Sequence, residues 1–326
     1  MATISIRAFG GRSEPGAVSD DLAAVSVLLD EQATAVWVDV EDADEPTLEV
    51  LADELGLHHL AVEDALDVHQ RDKYVHYDEH AFFVCHDAEL DVEAAQLRTK
   101  EVAAFIGDRW LVTVHAGCRA LVDGAAGRPG LTRKAPDLAL GFVLYGLLDA
   151  VLDRYFGVLD AFERFYDGAA DQVFADVPIP PQDQRRWFEM RKALNAFDRI
   201  VRPLGDAVDT MVHQDLDRFP VAAHPYLRDI AGEVSQVRDE ATGLRELVRQ
   251  IVDVNIMQRD YRQNVGMKKV TSWAAIIAVP TLVTGYYGMN VPYPGSGETW
   301  GVVVASGVSV ATALGLYASF RRRGWL

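Results

Sequence analysis

"VTSWAAIIAVPTLVTGYYGM" occupies residues 270–289 and contains no charged residue. A helix rises about 1.5 Å per residue, so twenty residues reach across a hydrocarbon core of roughly 30 Å. A second uncharged run, "WGVVVASGVSVATALGLYASF", fills residues 300–320. Both are rich in Ala, Gly, Ser and Thr, which let helices approach closely inside a membrane. Lys268 and Lys269 precede the first run and Arg321–Arg323 follow the second, while the loop 290–299 has no basic residue. A buried hairpin of a soluble domain would have no need of those flanks. The bias of basic residues toward the cytoplasm predicts two spans with both termini inside and the loop outside. Tyr286, Tyr287, Tyr293 and Trp300 then cluster at the outer interface, as belt aromatics do. The expected location is the cell inner (plasma) membrane.

The 269 residues before the first run are of another character. The chain of 326 residues has a formal charge of −18 and a mean hydropathy of +0.01. Apart from Glu298 and Arg321–Arg323, every charged residue lies within 1–270. Such acidity argues against nucleic acid and against an anionic lipid surface as partners, and permits divalent cations. Cys85 and Cys118 make no CxxC pair, as expected in a reducing compartment. "MATISIRAFGGRSEPG" at the N-terminus has no basic region leading into an apolar stretch, so no cleavable signal is expected. No P-loop, GxGxxG or nucleophile motif is present, which leaves ATP-driven transport and enzymatic catalysis without support.

Working back from the first span, apolar residues Leu227, Ile230, Val234, Val237, Ala241, Leu244, Val248 and Ile251 alternate steps of three and four. That is the seam of a coiled coil or bundle. Nothing breaks the pattern before the span, so one helix is predicted from about 226 to 289. At about 95 Å it is too long for one copy to bury, and assembly around it is expected. Two further long amphipathic helices are predicted over 137–175 and 182–217, separated by "DVPIPP" and ended by "FPVAAHP". Upstream, "TAVWVDV" (34–40), "HAFFVCHDAEL" (80–90), "EVAAFIG" (101–107) and "RWLVTVHA" (109–116) read as strands. "DEPTLEVLADELG" reads as a capped helix with Pro46 in its first turn and Gly56 at its end. The expected fold is an α+β (α/β/α) cytoplasmic domain over 1–135 and a helical hairpin over 136–224. A stalk helix over 225–269, spans at 270–289 and 300–320, and a basic tail 321–326 complete it.

Continued into the membrane, the same spacing picks out Asn264, Met267, Thr271, Ala274, Ala278, Thr281, Gly285 and Gly288. A small, polar stripe on a spanning helix suits a water-filled interior; close helix packing is the other use of small residues. Asn264 would meet hydrated ions, and Met267 and Val270 would form apolar rings able to gate by dewetting. At the outer end the helix carbonyls are partly negative. Gly288 would let the backbone turn, and a symmetric assembly would place several Asn290 amides round one axis. A ring of neutral oxygens suits capture of Mg²⁺ through its retained waters. Asn after Gly is also an ordinary turn residue.

"YGMN" ending the first span, a short outer loop, a second span and the basic "RRRGWL" resemble the CorA-type magnesium channels, the 2-TM-GxN family. "VEDALDVHQRDKY" (62–74) is similar to that family's cytoplasmic signature, with Asp72 where proline is usual; a local change of loop is expected there. The resemblance implies a funnel-shaped homopentamer passing Mg²⁺, and also Co²⁺ or Ni²⁺, inward. It implies a filter of Gly288, Met289 and Asn290, with Asn264, Met267, Thr271, Thr281 and Gly285 on pore positions. It also implies closure by cytoplasmic Mg²⁺ held between subunits, with Asp91 of "FFVCHDAELD" and Asp229 of "PYLRD" as ligands. Two alternatives stay open: the family's zinc-transporting branch, with or without proton coupling, and a membrane-anchored helical assembly that conducts nothing. Glu298 in the outer loop would concentrate cations or simply solubilise. His58, His59, His69, His76, His80 and His86 are expected to cap or face solvent, not to bind zinc.

Overall fold

Strand β3 (Ala35–Glu41) is buried at six of its seven residues, the signature of a strand covered on both faces. It pairs antiparallel with β1 (Thr3–Phe9) and parallel with β7 (Trp110–His115), with Val38 opposite Val112. The computed structural model describes residues 2–9, 16–30, 35–67, 70–126, 136–175, 177–289 and 294–326. They form two compact units, Met1–Arg249 and Gln250–Leu326.

The first unit is built on a seven-stranded sheet. Its order is β2 (Gly16–Ser19), β1, β3, β7, β6 (Gln96–Ile106), β5 (Ala81–Asp91) and β4 (Lys73–His76). On one face, α2 (Glu45–Leu55) and α3 (His59–Leu66) bury Leu48, Leu51, Leu55 and Ala61 against Val38, Phe82, Phe105 and Val112. On the sheet also lie α5 (Pro136–Phe174) and α6 (Pro181–Gln214). Tyr155 of α5, fully buried, donates from its hydroxyl to the His86 carbonyl of β5. α2 starts as its sequence indicates: the Asp44 carboxylate accepts from the Thr47 N–H, and Gly56 closes the helix at φ 69°. A left-handed residue there is natural for glycine.

The strands read from sequence are present, with one difference of extent. β6 begins at Gln96, not Glu101, because its N-terminal half carries polar residues on the exposed part of a hairpin. β1, β2, β4, α1 (Ala24–Asp30), α3 and α4 (Arg119–Ala126) were not anticipated. β1 alternates buried and less buried residues toward its end, a period-two signal in "TISIRAF".

Two short 3₁₀ turns, Leu216–Arg218 and Val221–Ala223, lead from α6 into α7 (His224–Tyr287), a single helix of 64 residues. All eight seam residues from Leu227 to Ile251 are buried. Asp198 of α6 binds Arg202 of its own helix and Arg245 of α7 at 2.9 and 2.8 Å. A Cβ added at Gly205 of α6 would touch Val234. The seam therefore packs within one chain, and its burial needs no second copy. Of the coiled coil and the bundle that the spacing allowed, this part of the helix forms the bundle.

In the second unit the end of α7 is joined by α8 (Thr299–Arg322). The last part of α7 and α8 are both long and apolar enough to cross a membrane. The fold is as expected: an α/β domain, a long helix and two C-terminal apolar helices.

Candidate ion pathway and metal-binding residues

Along the apolar part of α7, Ser272 is buried and Ile276, Val279, Val283 and Tyr287 are half-buried. The facing line on α8 is Gly301, Ala305, Ser309, Ala313, Leu316 and Phe320. Four of its residues, spaced by four, are small, which lets the helices approach closely. Trp273 and Tyr317 bring their rings to 6.4 Å. At the other end Thr284, Tyr287 and Gly288 line a cleft of about 770 Å³ with Gly301, Ala305 and Ser309.

The predicted stripe is on another face. Ala274, Ala278, Thr281 and Gly285 each stand two residues beyond a covered position, a rotation of about 200°. They are exposed, as are Asn264, Met267, Val270, Thr271, Gly288 and Met289. The stripe is thus not the surface α7 uses against α8, so the packing alternative is not met within one chain. Its hydroxyls are not all free, however. Thr281 donates to the Ile277 carbonyl at 2.9 Å, next to the partner that Pro280 cannot supply for want of an N–H. That local bond weakens the inference from a hydroxyl in lipid to a water-filled neighbour.

Gly288 holds a helix-terminal bond, its N–H donating to the Thr284 carbonyl at 2.9 Å. It is the turn residue that follows the last residue of α7, and its φ is not left-handed. A Cβ there would stand 3.1 Å from the Thr284 carbonyl oxygen, so glycine is suited by close approach. Among the described residues of the loop, Gly295 and Gly297 are left-handed, at φ 89° and 82°. Asn290 and Tyr293 lie outside the described residues. Glu298 precedes α8 in the N-cap position and makes no side-chain cap bond.

Asp91 ends β5 at the hairpin with β6. Its carboxylate accepts from the Ala94 N–H at 2.9 Å and from Arg98 at 3.0 Å. Asp229 is exposed on the first turns of α7. No described ion pair or hydrogen bond joins the two within the chain. Carboxylate oxygens suit Mg²⁺, and the exposed Arg98 pair costs little to exchange for a cation.

Among the described residues no group of three His, Cys, Asp or Glu side chains is arranged to hold a metal. His58 caps α3, accepting from the Leu60 N–H, and its own N–H donates to His80 Nε2 at 2.9 Å. His76 reaches Asp215 at 2.9 Å; His69 lies outside the described residues. Asp72 departs from expectation. It is 5% exposed, and its carboxylate meets His86 Nδ1 at 2.5 Å. Glu101, opposite His86 on β6, stands 3.8 Å from Nε2. What looked like a changed loop residue is the anchor of a buried charge cluster beside a cavity of about 780 Å³. Asp72 and His86 meet through the register of β4 on β5, which no local pattern in the sequence announces.

The family described as "CorA-like Mg2+ transporter protein" matches residues 32–322. The chain is 23% identical to the cobalt/magnesium transport protein CorA of Thermotoga maritima, over 91% of this chain and 85% of that one. The complete structure of the CorA magnesium transporter from Methanocaldococcus jannaschii superposes with a TM-score of 0.78, at 19% identity and over the whole of both chains. The cytoplasmic domain of ZntB from Vibrio parahaemolyticus covers 70% of this chain and 88% of its own, with a TM-score of 0.56 at 14% identity. By the extent of the family match, this chain belongs to the CorA-like Mg²⁺ transporters, membrane proteins that carry divalent cations and are not enzymes.

Proposed function

We propose that the chain forms a homopentameric channel for passive Mg²⁺ uptake, with Co²⁺ and Ni²⁺ as further substrates. The observation that carries this reading is the uncovered small and polar face of α7, from Asn264 to Gly285, turned away from the face that meets α8. In this reading residues 225–269 are the stalk, 270–289 line the pore and 300–320 form the outer span. Residues 1–135 and 136–224 are cytoplasmic, as is the tail 321–326, and 290–299 are external. Gly288, Met289 and Asn290 form the filter, where neutral oxygens hold a hydrated ion without trapping it. Glu298 raises the cation concentration nearby. A divalent ion moving inward down a potential of 100 mV gains about 4.6 kcal/mol, so ATP is not required. Mg²⁺ bound between copies through Asp91 and Asp229 closes the pore. Binding to one state shifts the population toward it, and screening the −18 of each copy favours the closely packed form.

Purified full-length protein in vesicles holding a Mg²⁺-sensitive dye tests both parts. Mg²⁺ flux is expected in wild type and lost or unselective in Asn290→Ala. Asp91→Asn and Asp229→Asn are expected to conduct with less inhibition by internal Mg²⁺. Equal flux in wild type and Asn290→Ala overturns the filter; uptake of Zn²⁺ without Mg²⁺ places the chain with zinc carriers.

A further inference from the structure

The second unit ends in a band of five cations. Trp273 and Tyr317 lie ring to ring at 6.4 Å, which fixes the level of α7 against α8. Lys269 stands four residues before Trp273 and Arg321 four residues after Tyr317, each about 6 Å further along in the same direction. Lys268, Arg322 and Arg323 adjoin them, and all five are exposed. None belongs to a described ion pair. The nearest acidic residue before them on α7 is Asp260, eight residues or about 12 Å from Lys268.

The arginines are not needed to cap α8. Its last carbonyls are taken by backbone N–H groups: Arg323 to Ser319 at 3.1 Å, Gly324 to Arg321 at 3.2 Å and Trp325 to Phe320 at 3.0 Å. Gly324, at φ 67°, turns the tail back. Trp325 then stacks on Phe320, with centroids 5.6 Å apart and planes within 6°. Unpaired cations on two helices are therefore bordered by Trp273, Tyr317 and Trp325, the residue types that settle at headgroup level.

We propose that the band of cations at the basic ends of α7 and α8 binds the phosphate of an anionic phospholipid headgroup. The net charge of −18 had argued against such a surface. The acidity lies in residues 1–270, where 28 basic and 48 acidic residues leave a balance of −20, while a phosphate senses charges within a Debye length of about 8 Å. Along α7 and α8 of the second unit, the charged residues nearest this level are Lys268, Lys269 and Arg321–Arg323. A basic band at the ends of spanning helices attracts anionic headgroups, at roughly fivefold in affinity per cation. The inference rests on α7 and α8 crossing the membrane, and on nothing about conduction.

Full-length protein is reconstituted in phosphatidylcholine vesicles with and without one quarter phosphatidylglycerol, re-extracted in mild detergent, and its retained lipid measured by mass spectrometry of the intact protein. Wild type is expected to retain phosphatidylglycerol over phosphatidylcholine. The triple variant Arg321→Gln, Arg322→Gln, Arg323→Gln should lose most of that preference, by tenfold or more, and the corresponding triple lysine variant should keep it. Equal retention by wild type and the glutamine variant overturns the proposal. So does displacement of the lipid by millimolar inorganic phosphate, which would mark a site for the free anion. Should the glutamine variant fail to insert, wild type decides alone: its preference must fall as salt is raised during extraction, and a salt-independent preference overturns the site. A chain that retains the lipid yet passes no Mg²⁺ would contradict the channel and leave this site standing.

Discussion

His86 illustrates how a single residue is set by its neighbours. Burial alone would push its imidazole toward the neutral form; the hydrogen bond that its Nδ1–H donates to Asp72 and the charges of Asp72 and Glu101 outweigh that and hold its pKa above the ordinary value. Burial raises Asp72, partly offset by the His86 bond, and burial likewise raises Glu101 against the His86 charge. All three shifts have the same sign: the folded chain keeps protons that the unfolded chain releases. For His86 the contribution to stability is complete below its unfolded value of about 6.5 and is lost as pH rises through the higher folded value. The carboxylates contribute in the same direction from about pH 4 upward, through their own raised values. Asp72→Asn removes the anion that holds the imidazolium. The melting temperature of the variant, followed from about pH 6.5 to 8.5, should fall less steeply with pH than that of wild type. Parallel slopes would mean that His86 does not titrate in this window. None of this was legible in the sequence, where Asp72 stood out only as a departure from a pattern. Partners brought together by strand register leave no local mark.

At the level of elements, long helices were the most legible and short ones the least. α5, α6 and α7 match their expected bounds within a few residues because each repeats an apolar spacing over many turns. α1 and α3, at seven and eight residues, have too few turns for a period to emerge. The spacing left one matter open. A three/four seam announces that a helix face is covered, and says nothing of whether the cover is α6 or another copy. The seam ends near Ile251, and beyond it Ile256, Met257 and Tyr261 are 51%, 65% and 68% exposed. Leu227→Ala should therefore cost about 2–5 kcal/mol in chains dispersed in detergent, through loss of a buried side chain and the cavity left behind. Ile256→Ala should stay within about 0.5 kcal/mol under the same conditions. Comparable losses of melting temperature at the two positions would show that Ile256 is covered even in the dispersed chain. Gly301 makes a sharper demand: a Cβ there would collide with the Gly295 carbonyl. The start of α8 is fitted to its loop at that one position.

For the whole molecule, the sequence already separated an acidic body from an uncharged pair of spans, and the structure adds which sides of those spans are occupied. α7 presents Ile276, Val279 and Val283 toward α8 and leaves Ala274, Ala278 and Thr281 uncovered. A lone chain in a bilayer would turn that second line to lipid, where a stripe of Ala, Thr and Gly gains little. Copies arranged about an axis would instead turn it inward, each stripe toward its counterparts. The two arrangements place position 281 differently while keeping position 279 against α8 in both. Cys85 and Cys118 are buried, so a cysteine introduced on a span reports for itself. Under mild oxidation in membranes, Thr281→Cys should form disulfide-linked pairs of chains on a non-reducing gel, while Val279→Cys should remain monomeric. Cross-linking at 279 and not at 281 would reverse the assignment of the two faces. Monomer in both cases would leave the exposed line of α7 facing lipid, and the channel without a lining.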